Sequence, residues 1–246
     1  MDRMLYVAMT GARQAMLAQS TNAHNLANAS TTGFRADLLA ADSLQIEGAG
    51  LPSRVNALKK SGGFNAEPGP MQNTDRQLDV AIQGSGWLAV QGPDGEEVYT
   101  RSGSLQLGPG GVLTNSSGEV VLGDGGPVAI PPFEQLEIGA DGSISIVPLG
   151  QSADTLATVD RIRLVNPDPD NLYKSTDGKI RTRDGSVPES DAAVKLASGV
   201  LEGSNVNAIA SMISMLELTR HFELQSKLME TADNNAANAA RLMQIS

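Results

Sequence analysis

The last forty residues, Asn207 to Ser246, read NAIASMISMLELTRHFELQSKLMETADNNAANAARLMQIS and contain neither Gly nor Pro. Within them Met215, Leu218, Phe222, Gln225, Met229, Ala232, Ala236, Ala239 and Met243 follow one another in alternating steps of three and four. That is the 3.5-residue repeat of a coiled-coil seam. Arg220, Glu223, Lys227, Glu230, Asn234, Asn238 and Arg241 fall on another face, where Glu223 and Lys227 are spaced as a favourable i,i+4 pair. The spacing predicts one helix, capped by Asn205 or Asn207 and about 60 Å long at ~1.5 Å per residue. A helix this long, with an apolar seam and a mixed-charge face, sets the terms for the rest of the chain.

The opposite end repeats the pattern. Leu5, Met9, Ala12, Met16, Gln19, Ala23 and Leu26 again alternate steps of four and three, behind Asp2 as a candidate N-cap. The run should fail at Ser30-Thr31-Thr32-Gly33, where hydroxyl side chains compete for backbone hydrogen bonds and Gly33 can adopt a left-handed cap. No Pro precedes Pro52, and fifteen of the 26 Gly lie between Gly84 and Gly150, so turn residues crowd the middle while helix formers hold the ends.

The middle reads as antiparallel β structure. VAIQGSGWLAV (80–90) predicts a strand pair or one bent strand, with Gly84 and Gly86 at the bend. Asp-Gly recurs at 94–95, 124–125, 141–142, 177–178 and 184–185 between short β-branched runs, a strong hairpin signal. Short strands at this spacing suggest a barrel or sandwich. Ala36 to Leu44 suits a short helix, and Gly48 to Pro70 an extended connector. The expected class is α+β: terminal helices forming a coiled-coil domain, and a β-rich middle. The boundaries are 1–33, a connector over 34–75, the β-rich domain over 76–200, and the C-terminal helix over 201–246.

Composition narrows the chemistry. The 246 residues carry a formal net charge of -10, and the longest basic run is Lys59-Lys60, so nucleic acid is not an expected partner. Without cysteine there is no disulfide, thiolate catalyst or Cys-based metal site. No apolar run approaches the ~18–20 residues that span a bilayer, and the first thirty residues lack the layout of a cleaved signal peptide. His24 and His221 have no carboxylate partner at ligand spacing, which favours polar-face roles. Asn166-Pro-Asp168-Pro-Asp170-Asn171 fails as a calcium loop, because Asn171, Lys174 and Asp177 stand where Gly, a cation ligand and Glu are needed. The glycine-rich loops lead into strands such as Trp87 to Val90 and not into a helix N-terminus, which excludes a phosphate cradle. No catalytic, cofactor-binding or metal-binding residue and no small-molecule substrate is expected. A secreted enzyme or carbohydrate-binding β domain is the competing class, disfavoured by only eight aromatic residues and no converging acid/base pair. Met, Ala and Gln in the seams bury little by themselves, so the helices should be completed by copies of the chain.

Three stretches, in order, resemble one known family. Asn25-Leu26-Ala-Asn28-Ala-Ser-Thr-Thr32-Gly33-Phe34-Arg35 resembles the signature of bacterial flagellar rod and hook proteins. Leu78 to Trp87, with Tyr99-Thr-Arg101-Ser-Gly103, resembles their shared β domain. Gly199-Val-Leu-Glu-Gly-Ser-Asn205-Val-Asn207, with Arg220-His-Phe222-Glu223 and Lys227, resembles their C-terminal signature. The opening Met-Asp…Tyr6-Val-Ala-Met9, the short body, and Trp87-Leu88 in place of Phe-Phe are most similar to the proximal-rod members; distal-rod and hook members are close relatives.

The resemblance implies a structural subunit of the periplasmic rod, the shaft that carries torque from motor to hook. Its helices would form an inner tube around the export channel and its β domain an outer layer. The implied partners are proximal- and distal-rod subunits, copies of itself and the flagellar type III export apparatus. Asn25, Leu26, Asn28, Thr32, Gly33 and Phe34 are the candidate motif residues, and Leu218, Phe222, Glu223 and Lys227 the candidate assembly residues.

Overall fold

The computed structural model describes residues 2–45, 55–151, 155–175 and 177–245, which divide into two compact units. The first holds α1 (Asp2–Ala27), α2 (Ala208–Ile245) and a two-stranded sheet of Asp37–Gln45 with Val55–Phe64, less Phe64 itself. The helices run antiparallel, since Asn22 of α1 donates to the Ser211 carbonyl (2.6 Å) while Gly11 lies against Gln225. A Cβ at Gly11 would come within 2.8 Å of the Gln225 side chain, so this approach needs the glycine. Asn207 caps α2 by accepting the Ala210 N–H (3.1 Å), as its position predicts. The side chain of Asp2 lies outside the described residues.

On α2, Met215, Leu218, Phe222, Gln225, Met229 and Ala236 are half-buried and Ala232 is buried, while the polar face is exposed throughout, as the 3.5-residue spacing requires. Side chains of Ala239 and Met243 lie outside the described residues. On α1 the expected stripe is rotated. The buried residues are Ala8, Ala12, Ala15 and Ala18, and Met9 and Met16 stand 54% and 58% exposed. Small side chains let two helix backbones approach closely, so the pair closes on the alanine and glycine face and turns its methionines outward.

The short helix expected over Ala36 to Leu44 is absent. Asp37–Gln45 is a strand, because Val55–Phe64 pairs with it and because Asn25 holds its first residue in extended form. Of the connector expected over Gly48 to Pro70, residues 48–54 lie outside the described ones, and Val55–Phe64 is a strand.

The second unit, residues 30–36 and 64–205, is β-rich and antiparallel. A nine-stranded sheet is organised around Trp87–Gln91, which pairs with Glu97–Thr100, Val120–Gly123 and Leu164–Val165. A three-stranded sheet joins Phe133–Ile138, Ser143–Pro148 and Ala157–Arg161. Two further pairs tie Val80–Gln83 to Lys195–Ser198 and Met71–Asn73 to Val200–Glu202. Among the described residues no sheet closes into a barrel.

The alternation of Leu136, Ile138, Ile144 and Ile146 with polar neighbours places one face of the three-stranded sheet on the core, where Leu88, Leu105, Leu113, Ile162 and Leu164 are fully buried. Val80–Gln83 and Trp87–Gln91 do not pair with each other. Gly84 (φ +81°) and Gly86 (φ +128°) bend the chain sharply enough to send the two strands into different sheets. The Asp-Gly steps at 94, 124, 141 and 177 each join paired strands, whereas Asp184-Gly185 turns out of Ile180–Thr182 into a loop.

Candidate functional site

Three charged side chains meet inside the β-rich unit. Glu202, fully buried at the end of its strand, accepts from Arg35 Nη2 at 2.6 Å and from the Gly69 N–H at 2.9 Å through Oε1. Its Oε2 accepts from Arg101 Nη1 at 3.1 Å. Arg35 and Arg101 are themselves only 2% and 4% exposed. Two cations therefore share one carboxylate out of contact with water, and an isolated buried charge is costly.

The surroundings supply part of the compensation, although Arg35 Nε and Nη1 and Arg101 Nε are buried without a hydrogen-bond partner among the described residues. Arg101 Nη2 donates to the Gly84 carbonyl at 2.7 Å. The face of Trp87 lies 5.8 Å from the Arg35 guanidinium and 5.3 Å from that of Arg101, and Phe64 abuts Trp87 edge-on at 5.7 Å. The negative face of an indole ring attracts both cations. Burial draws the Arg101 pKa down, and the charge of Glu202 opposes that shift.

Backbone bonds knit the same place. Gly33 donates to the Glu202 carbonyl (2.8 Å) with φ +68°, and a Cβ there would fall on the backbone of Arg101 and Ser102. Thr32 Oγ1 lies 3.2 Å from Ser102 Oγ. Asn205 accepts the Ala36 N–H (2.8 Å) and donates to the carbonyls of Asn65 (3.0 Å) and Glu67 (2.9 Å). Lys174 Nζ stands 4.2 Å over the Phe34 ring. Residues 30–36, which leave α1, and 199–205, which enter α2, are thus laced to each other and to the sheet.

The other motif residues act in the helical unit. The Asn25 amide donates to the Asp37 carbonyl (3.0 Å) and accepts its N–H (2.8 Å), imitating a neighbouring strand. Asn28 closes the last turn of α1 by donating to the His24 carbonyl (2.9 Å). Leu26 is half-buried.

His24, expected to lack a carboxylate partner, has one: its Nδ1 lies 2.8 Å from Asp37 Oδ2, thirteen residues along. Leu218 and His221 line a groove of about 440 Å³ with Asn22, Asn25 and Asp37. Phe222 lies half-buried on the same stripe as Leu218. Glu223 and Lys227 are exposed, and the ion pairs of the described residues lie elsewhere. Asp168 accepts the Asp170 N–H (3.0 Å) in a short 3-10 turn, the Pro-Asp turn expected between strands.

Reading the sequence missed Arg35, Arg101 and Glu202 as site residues. The available signal was a lone charge inside each of three Gly- and Ser-rich motifs.

Comparison with known proteins matches three family models along the chain: "Flagella basal body rod protein" over residues 5–35, "Flagellar hook protein FlgE/F/G D1 domain" over 81–146, and "Flagellar basal body rod FlgEFG protein C-terminal" over 197–242. The chain is 44% identical to the flagellar basal-body rod protein FlgF of Escherichia coli and 40% identical to that of Salmonella typhimurium, each over the full length of both proteins. It is 30% identical to the flagellar basal-body rod protein FlgG of Buchnera aphidicola, covering 97% of this chain and 98% of that one. Each match region contributes one member of the buried cluster or its flank: Arg35, Arg101 and Glu202.

Proposed function

The chain belongs to the flagellar basal-body rod protein family and is a structural subunit of that rod, and on this premise we propose how it is built to carry torque in the proximal part of the shaft. It assembles with other rod and basal-body proteins. The terminal helices contribute to the inner core around the export channel, and the β-rich unit contributes to the outer layer. The subunit reaches its periplasmic site through the flagellar type III export apparatus and packs against copies of itself as well as proximal- and distal-rod neighbours.

The observation that carries this reading is that each helix, besides its contact with the other, leaves large apolar side chains in the open, which on α2 are interspersed with Arg220, Glu223 and Lys227. Tyr6, Met9, Met16 and Leu17 of α1 and Ile209, Ile213, Leu216 and Leu224 of α2 are between 45% and 72% exposed. Exposed apolar surface on this scale marks an interaction face, and a shaft needs heterologous contacts that do not close into a ring. Coiled-coil pairing with neighbouring subunits would bury these side chains. Leu218 and Phe222 hold the inner stripe, while Glu223 and Lys227 stay on the polar face. Within the β-rich unit, the buried cluster at Glu202 fastens residues 30–36, which follow α1, to residues 199–205, which precede α2.

The test is replacement of Leu216 or Leu224 by Asp in a motile strain. The purified chain should melt as before, while basal bodies lack the subunit and motility is lost. Wild-type motility with both variants would overturn the reading.

A further inference from the structure

Of the five Asp-Gly steps, four have the aspartate tied down. Asp94 accepts the Glu96 N–H (3.2 Å) and pairs with Arg181 (2.7 Å). Asp141 accepts from the Ser143 N–H (3.2 Å) and hydroxyl (2.7 Å). Asp177 accepts the Lys179 N–H and pairs with Arg181, each at 2.9 Å. Asp184 accepts from the Ser186 N–H (3.0 Å) and hydroxyl (2.7 Å).

Asp124 differs. It is exposed, and among the described residues its carboxylate has no hydrogen bond or ion pair. It occupies a two-residue loop between Val120–Gly123 and Gly126–Pro127, held by Asp124 N–H to the Arg161 carbonyl at 3.3 Å. Gly125 and Gly126 follow, and a Cβ at either would meet nothing within 4 Å.

We propose that Asp124 is the site where this protein's folded backbone rearranges spontaneously to isoaspartate. The Gly125 backbone nitrogen attacks Cγ of Asp124. A new N–C bond forms as one carboxyl oxygen leaves with two protons as water, giving a five-membered succinimide. Water then adds to one of the two ring carbonyls and breaks its bond to nitrogen. Opening at the backbone carbonyl leaves the chain running through the former side chain, and opening at the other restores Asp. Nothing is oxidised or reduced, and the net mass is unchanged.

Glycine at the next position leaves the attacking nitrogen unobstructed, and a free carboxyl can rotate onto it. At the other four steps the turn bond holds the carboxyl away from that path. Their partners also shrink the small share of neutral acid at those carboxyls: the Arg181 hydrogen bond lowers the pKa of Asp94, the Ser143 hydroxyl that of Asp141 and the Ser186 N–H that of Asp184. Burial pushes Asp177 up, but the Lys179 N–H and Arg181 outweigh it. An ionised carboxylate is the poorer electrophile. The extra backbone methylene at 124 would disturb the pairing of Gly123 with Gly126 and of Leu122 with Pro127.

The test is incubation of the folded full-length chain at neutral pH in heavy-oxygen water, followed by peptide mapping. Expected is an isoaspartyl Asp124 peptide carrying one heavy oxygen, several-fold more abundant than that of any other Asp-Gly step. Gly125→Ala, which the open space accommodates, should reduce it several-fold, and in urea all five steps should react comparably. Equal rates at all five in the folded chain, an unchanged rate in Gly125→Ala, or continued dominance of Asp124 in urea would each overturn the assignment.

Discussion

The β-rich unit encloses charge, and the helical unit exposes apolar side chains. In the first, Arg35, Arg101 and Glu202 are buried in a unit whose core of Leu, Ile and Val side chains is covered. In the second, the contact stripe of α1 is four alanines, and each methyl is worth on the order of 0.8 kcal/mol. Fixing one residue's backbone costs about 1–2 kcal/mol. On the proposed reading, one unit is complete within a single chain and the other is completed by neighbours. Buried ions need a rigid frame that never opens to water, whereas large exposed side chains are tolerated when the native environment covers them.

The contrast can be broken most forcefully at Glu202. Replacement by Ala strands two buried guanidinium groups, and loss of one partner from a buried ion cluster costs about 3–5 kcal/mol. Denaturant unfolding of the full chain should show that loss, with a smaller one for Glu202→Gln, which keeps an acceptor for the Gly69 N–H. Gly33→Ala comes next. A left-handed non-glycine residue costs about 1–3 kcal/mol, and here the new methyl also meets the Arg101 backbone, so the melting temperature should fall clearly.

Leu218→Asp and Phe222→Asp should barely move the melting of the free chain, which reports the β-rich unit. They should abolish incorporation into rods, as judged from basal-body content and motility at matched expression. Glu230→Asp, on the exposed face, should change neither. A large melting shift in Phe222→Asp would mean that the helical unit is as self-sufficient as the other.

The smallest effect is acidic. Asp94, Asp141, Asp177 and Asp184 sit below their ordinary 3.8 when folded, so their contribution is present above that value and lost as pH falls through the lower folded values. Glu97 has the opposite sign, because burial raises it above 4.5 and its ionisation weighs against the fold. Melting temperature should therefore decline only gently below pH 3.8.

Both helices were legible because a 3.5-residue repeat is local. The face of α1 was not. Large Met9 and Met16 read as core, but close helix approach selects Ala8, Ala12 and Ala15 instead. The strand Asp37–Gln45 was misread because what extends it lies elsewhere, in Asn25 and Val55–Phe64. The motifs holding Arg35, Arg101 and Glu202 were each visible. Their meeting was not, since Arg35 and Arg101 lie 167 and 101 residues from Glu202, and no local pattern encodes that pairing. His24 with Asp37 is the same failure at shorter range.

Amide hydrogen exchange on the dilute, full-length free subunit tests most directly whether one unit is finished and the other waits for neighbours. Exchange in Trp87–Gln91, Val120–Gly123 and Val200–Glu202 should be slow, close to the limit set by global unfolding. Amides throughout α1 and α2 should exchange far faster, through local opening. Protection in α1 and α2 equal to that of the strands around Glu202 would contradict the account, because the helices would then be ordered without any neighbour.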